Sequence, residues 1–260
     1  MTSPLLDVSG VTLTFGGFKV LDDVSLSVGT GECVGLIGPN GAGKSSVLNC
    51  VTRNYRNELG SVTFADRSLD DVRPHDVVRG GIARTFQNVE LSPTHTVLRN
   101  TLVGAHSRMR ASFVEGLFGL TRSRRDEVRV EAEARELLAR FGLGARVDRP
   151  LGELPYGSRK LVEIARALLG RPRMLLLDEP VAGTSSDERA EIGAHIRELA
   201  KDQGLSMVLV EHDVKFVRSM ADRIVVLDFG RVIASGQPDE VLRQPTVISA
   251  YLGEGSTTDQ

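Results

Sequence analysis

The amino-acid sequence predicts an α/β fold with a mixed β core, an antiparallel β subdomain and a helical subdomain. Segments near the N-terminus alternate apolar and polar side chains, as half-buried antiparallel strands do. Further along, near-continuous apolar runs are each followed by a helical pattern, and one stretch of purely helical periodicity interrupts them. At 260 residues the chain is long enough to bury one large core.

The first strands are predicted from two alternating segments, VTLTF (Val11–Phe15) and VSLSV (Val24–Val28). The next segment, ECVGLIG, is an apolar run typical of a parallel strand that is covered on both faces. A glycine-rich loop then opens a predicted helix over about Lys44–Thr52. SVTFAD is predicted to be another strand, and Gly81–Gln87 a strand that leads into a loop.

The pattern becomes helical from about Thr96 to Gly142, where apolar residues recur at spacings of three and four. The final third returns to α/β alternation, with strands predicted at MLLLDEP, SMVLVEH and RIVVLDFGRVI. Helices are predicted near Ser158–Leu169, Ser186–Gln203 and Val214–Met220. We therefore expect one domain over residues 1–253, with a helical subdomain at about 96–170 and a flexible tail at 254–260.

Composition argues against several classes of function. Charged residues make up 25% of the chain, but the formal charge is only −2, so no basic field would gather nucleic acid or an anionic membrane. Cys33 and Cys50 have no metal-ligand spacing and are interpreted as packed thiols in a reducing compartment. The sequence has no secretory signal, and no apolar run approaches the roughly 18 residues of a membrane span. A soluble chain is expected, with any membrane role supplied by partners.

The segment GPNGAGKSS carries the strongest chemical signal, because it fits the pattern G-x-x-x-x-G-K-[ST]. Its glycines let backbone N–H groups surround a phosphate, and the helix beginning at Lys44 adds the positive end of its dipole. Lys44 is placed to reach β- and γ-phosphates, and the Ser45 hydroxyl to hold Mg²⁺. The predicted nucleotide-binding residues of this loop are Gly38, Asn40, Gly41, Ala42, Gly43, Lys44, Ser45 and Ser46.

A phosphate loop requires a second Mg²⁺ anchor at the end of a neighbouring strand, and MLLLDE supplies Asp178. The next residue, Glu179, would lie beside the γ-phosphate, where a carboxylate can orient and deprotonate the attacking water. An acid at a strand end is by itself more often a cap or surface group. The pairing with the phosphate loop favours the metal and catalytic roles.

Several motifs in order resemble the nucleotide-binding subunits of ATP-binding cassette (ABC) transporters, over roughly Leu5 to Gly253. They are GPNGAGKSS, Gln87 in RTFQN, LPYGSRKLVEIARALL ahead of LLLDEP, and VEHD with His212. The resemblance implies the P-loop NTPase fold of ABC ATPases and Mg²⁺-dependent ATP hydrolysis.

The resemblance also implies roles for single residues. Phe15 would stack on the adenine ring, although an aromatic at a strand end is also a common core residue. Gln87 would sense Mg²⁺ and the attacking water while it contacts the membrane partner. His212 would hydrogen-bond the γ-phosphate, although a lone histidine after an apolar strand is more often structural. The implied catalytic residues are Glu179, His212 and Gln87, and the implied metal-binding residues are Ser45, Gln87 and Asp178.

In this family two cassettes meet head to tail, so that ATP lies between the phosphate loop of one and the signature loop of the other. The usual signature is Leu-Ser-Gly-Gly-Gln, but here Pro155 brings neither a hydroxyl nor an N–H. Thr184 and Ser185 depart from the usual turn after the acidic pair. We expect an asymmetric heterodimer, or a homodimer with two weakened sites. The signature positions are Leu154, Pro155, Tyr156, Gly157 and Ser158.

Within the family the chain most resembles the ATP-binding subunits of branched-chain amino-acid importers, through RTFQ, the tyrosine-containing signature, VEHDVKFV, ADRIVVLDFGRVIASGQPDEV and ISAYLGE. Those importers use two different ATPases, two transmembrane permease subunits and a solute-binding protein. The resemblance implies a peripheral position on the cytoplasmic face of the inner (plasma) membrane. Because an ATPase subunit does not touch the solute, urea, short amides and other small polar solutes stay open.

The role of one apolar segment stays open, and two other classes of function are disfavoured. The apolar segment Phe113–Leu120 would contact the membrane subunits or pack within the helical subdomain. A soluble cassette protein that acts on ribosomes or DNA is disfavoured, because the chain has neither a second phosphate loop nor sustained heptads. A regulatory ATP binder without turnover is disfavoured by the presence of Glu179 and His212.

Overall fold

The computed structural model describes residues 3–85, 91–106 and 121–252, and its strands form two sheets. In chain order the strands are β1 (Leu6–Phe15), β2 (Phe18–Val28), β3 (Cys33–Ile37), β4 (Leu59–Phe64), β5 (Arg67–Ser68), β6 (Ile82–Arg84), β7 (Met174–Asp178), β8 (Ser206–Val210), β9 (Arg223–Asp228) and β10 (Arg231–Gly236). The smaller sheet is antiparallel, in the order β2-β1-β4-β5, and the larger one has the order β10-β9-β3-β8-β7-β6.

The described helices are α1 (Lys44–Val51), α2 (Pro74–Arg79), α3 (Val97–Leu102), α4 (Thr121–Arg140), α5 (Tyr156–Leu169), α6 (Ser186–Gln203), α7 (Val214–Met220), α8 (Pro238–Val241) and α9 (Pro245–Leu252). Helix α6 matches its predicted range, α5 begins two residues earlier than expected, and α2 was not predicted. We refer to α3, α4 and α5, which pack on one another, as the helical lobe.

The larger sheet brings the predicted functional segments to one edge. Strands β9, β3, β8, β7 and β6 are parallel neighbours, and only the β9–β10 pair is antiparallel. The carboxyl ends of parallel strands lie at the same edge, so the loops that follow β3, β7 and β8 are adjacent there. Those loops carry the glycine-rich segment, the acidic pair and the histidine.

Two apolar layers cover the faces of the larger sheet, which explains the near-continuous apolar runs. In β8, Val208 and Val210 pack toward the smaller sheet and α1, whereas Met207 and Leu209 pack toward the helices on the opposite face. Alternate residues of a strand point to opposite faces, so both sets must be apolar when both faces are covered.

The two cysteines are buried free thiols, as predicted. Burial raises the pKa of Cys33 to about 12 and that of Cys50 to about 11, so both stay protonated at neutral pH. Among the described residues, none of the helices combines the length and the apolar character needed to cross a membrane.

The C-terminal segment differs from its prediction. RIVVLDFGRVI is not one strand but a hairpin, in which β9 and β10 pair antiparallel around Phe229 and Gly230. Both turn residues have positive φ, 43° and 76°. Helices α8 and α9 follow, and the sequence pattern had not indicated either one.

Candidate functional site

The glycine-rich loop between β3 and α1 has the backbone that a phosphate cradle requires. Gly38, Gly41 and Gly43 have φ of 147°, 77° and 102°, in the region that favours glycine. A Cβ at Gly38 would lie 2.0 Å from the carbonyl oxygen of Leu227, so no larger residue fits there. We call residues 38–45 the phosphate loop.

The Lys44 side chain lies inside this loop and is hydrogen-bonded to its backbone. The side chain is buried, and its Nζ donates hydrogen bonds of 2.7 Å to the carbonyl oxygens of Gly38 and Pro39. The first turn of α1 contains no acidic residue, so its backbone N–H groups favour an anion. Of the other predicted loop residues, Ala42 is buried, Ser46 is half-buried, and Asn40, Gly41 and Ser45 are exposed.

Asp178 ends β7 as a buried carboxylate that Arg84 holds from the neighbouring strand. Its Oδ2 accepts a 2.6 Å hydrogen bond from Nη2 of Arg84, whose Nη1 donates to Oδ1 of Asn49 at 2.6 Å. Within the described part of the chain, the buried Oδ1 of Asp178 has no hydrogen-bond partner. An orphaned carboxylate oxygen is the kind of ligand that a hard divalent cation takes, so the residues present fit Mg²⁺.

The side chains of Glu179 and His212, the predicted base and the predicted γ-phosphate partner, lie in hydrogen-bond contact. Nε2 of His212 lies 2.9 Å from Oε1 of Glu179, and both side chains are partly exposed. Glu179 has a φ of 51°, which is uncommon for a residue with a side chain, and its N–H donates to the carbonyl oxygen of Val210 at 2.9 Å. The acid and the histidine are therefore fixed together at the edge of the sheet.

Glu211 holds the loops that carry Glu179 and His212 in place. Its buried carboxylate accepts hydrogen bonds from the backbone N–H groups of Val181 (3.0 Å) and His212 (3.2 Å). Burial raises the pKa of Glu211, and the two N–H donors partly oppose that shift. The residue therefore ties the loop after β7 to the loop after β8.

Arg189 of α6 joins the same two loops. It pairs with Asp213, which caps α7, and donates to the carbonyl oxygen of Thr184 at 3.1 Å. Partial burial acts to raise the pKa of Asp213, but the Phe216 N–H and the Arg189 guanidinium lower it overall. Neither Arg189 nor Glu211 could be predicted from the sequence, because no local pattern marks their contacts.

Phe15 lies at the end of β1 with 46% of its surface exposed, so it is not a core aromatic. Its ring meets that of Tyr55 edge to face, with the centroids 5.0 Å apart. Tyr55 follows α1, and nothing in its local sequence had indicated this contact. The pair forms a small aromatic surface open to solvent.

The signature positions lie at the start of α5. Pro155 is the N-cap and Tyr156 the first helical residue, so the N-cap residue itself offers no side-chain acceptor to the N–H groups of the first turn. Arg159 fastens the preceding loop by donating to the carbonyl oxygens of Leu154 and Gly152. Leu154 and Gly157 are buried, Ser158 is half-buried, and Pro155 and Tyr156 are exposed. We call residues 154–158 the signature loop.

The predictions for Gln87 and for the Phe113–Leu120 segment lie outside the described residues. The last described strand before Gln87 is β6, which ends at Arg84. Gln87 therefore follows three residues after the arginine that holds Asp178.

A glycine cradle at a helix N-terminus, with an acidic pair and a histidine on adjacent parallel strands, defines a nucleotide-hydrolysing P-loop protein. The comparisons with known proteins then give the family. The family model described as ABC transporter matches residues 21–182, and the model described as branched-chain amino acid ATP-binding cassette transporter matches residues 231–257. The chain belongs to the ABC transporter family, as an ATP-binding subunit whose ATP hydrolysis is coupled to transport.

Named relatives match along nearly their whole length. The chain is 39% identical to the high-affinity branched-chain amino acid transport ATP-binding protein BraF of Pseudomonas aeruginosa over 254 residues, covering 98% of this chain and 100% of that one. It is 38% identical to the corresponding protein LivG of Escherichia coli K12 over the same length and coverage. These matches confirm the predicted transporter subunit.

Solved structures confirm the predicted fold. A nucleotide-free ATP-binding cassette from an ABC transporter superposes with a TM-score of 0.83 at 32% identity, covering 96% of this chain and 99% of that one. The ADP conformation of MJ1267, an ATP-binding cassette of an ABC transporter, gives the same TM-score and identity, covering 97% and 100%. Cassettes of this fold bind adenine nucleotides, and this chain is one of them.

Proposed function

We propose that this chain hydrolyses ATP to energise an importer of branched-chain amino acids. ATP hydrolysis is supported by the contact between Glu179 and His212, which lie at the same edge of the larger sheet as the phosphate loop. The solute is supported by the match over residues 231–257 and by the names of the relatives. Urea or short amides would be carried by the same catalytic machinery, so the solute needs its own test.

In this proposal the phosphate loop binds the nucleotide, with backbone N–H groups and Lys44 on its phosphates and Phe15 against its adenine. Binding moves the Lys44 ammonium from the Gly38 and Pro39 carbonyl oxygens to phosphate oxygens, which exchanges neutral acceptors for charged ones. Ser45, Asp178 and Gln87 would hold Mg²⁺, which neutralises phosphate charge when bound.

Glu179 is proposed to orient the attacking water and accept its proton, while His212 contacts the γ-phosphate. The Glu179–His212 hydrogen bond supports this assignment, because it holds the carboxylate in one direction before nucleotide binds. Glu211 and Arg189 position the two loops and touch no reacting atom.

The signature loop is proposed to complete the site of a second cassette. Pro155 contributes no N–H, so Gly157, Ser158 and the start of α5 remain as donors, with Leu154 and Tyr156 shaping the loop. We favour a heterodimer, because a second subunit with the usual signature would complete this chain's phosphate loop. A homodimer would contain two altered signatures.

The proposed transporter has two permease subunits, and one of them is proposed to dock on a groove of about 530 Å³ between the core and the helical lobe of this chain. Val78 of α2 and Val103 beyond α3 line it with large exposed apolar surface. Strand β6, which leads toward Gln87, forms its floor. Docking there would place this chain on the cytoplasmic face of the membrane, with a solute-binding protein connected only through the permeases.

Purification of the tagged chain from detergent-solubilised membranes of its own source tests these partners. We expect it to be recovered with a second ATPase and two very hydrophobic proteins. Recovery with only one kind of ATPase would replace the heterodimer by the homodimer. Recovery alone, or with ribosomal or DNA-bound proteins, would contradict the importer assignment.

A further inference from the structure

Glu188, in the first turn of α6, places one carboxylate against two helix N-termini. Its Oε2 accepts hydrogen bonds from the backbone N–H of Ser185 (2.9 Å) and from the Ser185 hydroxyl (3.0 Å), which form a capping box with the return bond to Glu188. Its Oε1 lies against the signature loop, because a Cβ built on Gly157 would be only 2.6 Å from it.

This carboxylate supplies the negative charge that the start of α5 otherwise lacks. The first turn of α5 contains no acidic residue, and its N-cap, Pro155, has no side-chain acceptor. The pKa of Glu188 is lowered, first by the Ser185 backbone and hydroxyl donors and then by the N–H of Gly157. The group is therefore ionised at neutral pH, and its anion occupies the positive end of α5.

We infer that Glu188 is a positioning residue that holds the signature loop as an internal anion and is displaced by the γ-phosphate of the ATP bound to the partner cassette. This inference rests on the proposed function, in which the signature loop completes the partner's site. Two anions cannot share the Gly157 N–H, so Glu188 competes with ATP and raises the ATP concentration at which the dimer closes.

Displacement of Glu188 would also affect the nucleotide site of this chain itself. Its carboxylate fastens Ser185, and the preceding Thr184 accepts a hydrogen bond from Arg189, which pairs with Asp213 beside His212. A change at the start of α6 is therefore connected through direct contacts to the loop that carries the catalytic histidine. These contacts therefore connect nucleotide binding at the partner's phosphate loop to the position of His212 in this chain's own site.

The test is ATP hydrolysis by the purified transporter complex as a function of ATP concentration, for wild type and Glu188→Gln. Glutamine at this position keeps the capping box but removes the charge, so we expect KM to fall about three- to tenfold, the effect of weakening one charge-assisted hydrogen bond. We expect kcat to stay within about twofold and the thermal midpoint to stay unchanged.

Asp187→Asn is the matched control, because it removes the same charge one residue away, on an exposed side chain. We expect this control variant to leave KM unchanged.

An unchanged or raised KM in Glu188→Gln, or an equal shift in Asp187→Asn, would overturn the inference and leave Glu188 as a helix cap alone. Lys44→Ala tests the proposed function separately. If Lys44→Ala left turnover of the complex unchanged, the proposed function would fail whatever Glu188→Gln does. If Lys44→Ala abolished turnover and Glu188→Gln had no effect, only the inference about Glu188 would fail.

Discussion

Arg84 shows how much of the catalytic geometry depends on a residue outside the motifs. Its guanidinium bridges Asp178 at the end of β7 and Asn49 in α1, so it connects the predicted Mg²⁺ anchor to the helix that follows the phosphate loop. Both charged side chains of the Arg84–Asp178 pair are almost completely buried. A buried carboxylate that loses the cation paired with it is costly, because the charge is then poorly solvated.

Arg84→Met is therefore expected to lower the free energy of unfolding by about 3 kcal/mol, the lower end of the cost of breaking a buried ion pair. Urea unfolding followed by circular dichroism measures it. Arg79→Met is the control, since Arg79 makes an exposed pair with Asp76 and its loss should cost under about 0.5 kcal/mol. Equal stabilities for the two variants would show that the Arg84 pair is not stabilising.

At the scale of single residues, the sequence indicates candidates that belong to a local motif or lie at the end of an apolar run. Lys44 belongs to the glycine-rich motif, Asp178, Glu179 and His212 lie at or just after the ends of such runs, and Glu179 and His212 are found in contact. Arg84 and Tyr55 could not be found in this way, because their partners are far away in the chain, 94 residues in the case of Arg84 and Asp178. The spacing of Ser185 and Glu188 marks a helix cap, but nothing in it indicates the contact of Glu188 with Gly157.

At the scale of elements, the β9–β10 hairpin has an unusual turn. Phe229 and Gly230 connect the strands as a two-residue loop, and both have positive φ. Such turns favour Asn-Gly, because asparagine tolerates the left-handed region better than an aromatic residue does. Phe229 is also 88% exposed, so its ring contributes little burial in return. The turn type explains why the sequence predicted one strand here: Phe-Gly inside an apolar run does not look like a hairpin signal.

Phe229→Asn is expected to raise the free energy of unfolding by about 1 kcal/mol, because it relieves the left-handed strain of a side chain that is hardly buried. Phe18→Asn is the control: Phe18 is 80% exposed but is not among the residues with positive φ, so its replacement should bring no gain. Chemical denaturation of both variants measures the difference. No gain in Phe229→Asn relative to wild type would mean that the turn carries no strain.

At the scale of the whole molecule, the larger sheet explains why motifs spread over more than 170 residues of the chain form one site. The α/β alternation predicts parallel strands, and parallel strands place their following loops at one edge. This part of the fold could be predicted because it depends on local periodicity. The groove between the core and the helical lobe could not, since it depends on how two packed units face one another.

In the proposed function, ATP hydrolysis at Glu179 drives uptake of branched-chain amino acids by the whole transporter. The most direct measurement replaces Glu179 with Gln in the chromosomal copy of the source organism and follows uptake of radiolabelled leucine, isoleucine and valine at low external concentration, with urea and acetamide as comparison solutes. We predict that branched-chain uptake falls to the level of a deletion strain while urea and acetamide uptake stay unchanged, with the variant protein present in normal amount. Unchanged leucine, isoleucine and valine uptake, or loss of urea or acetamide uptake alone, would contradict the claim.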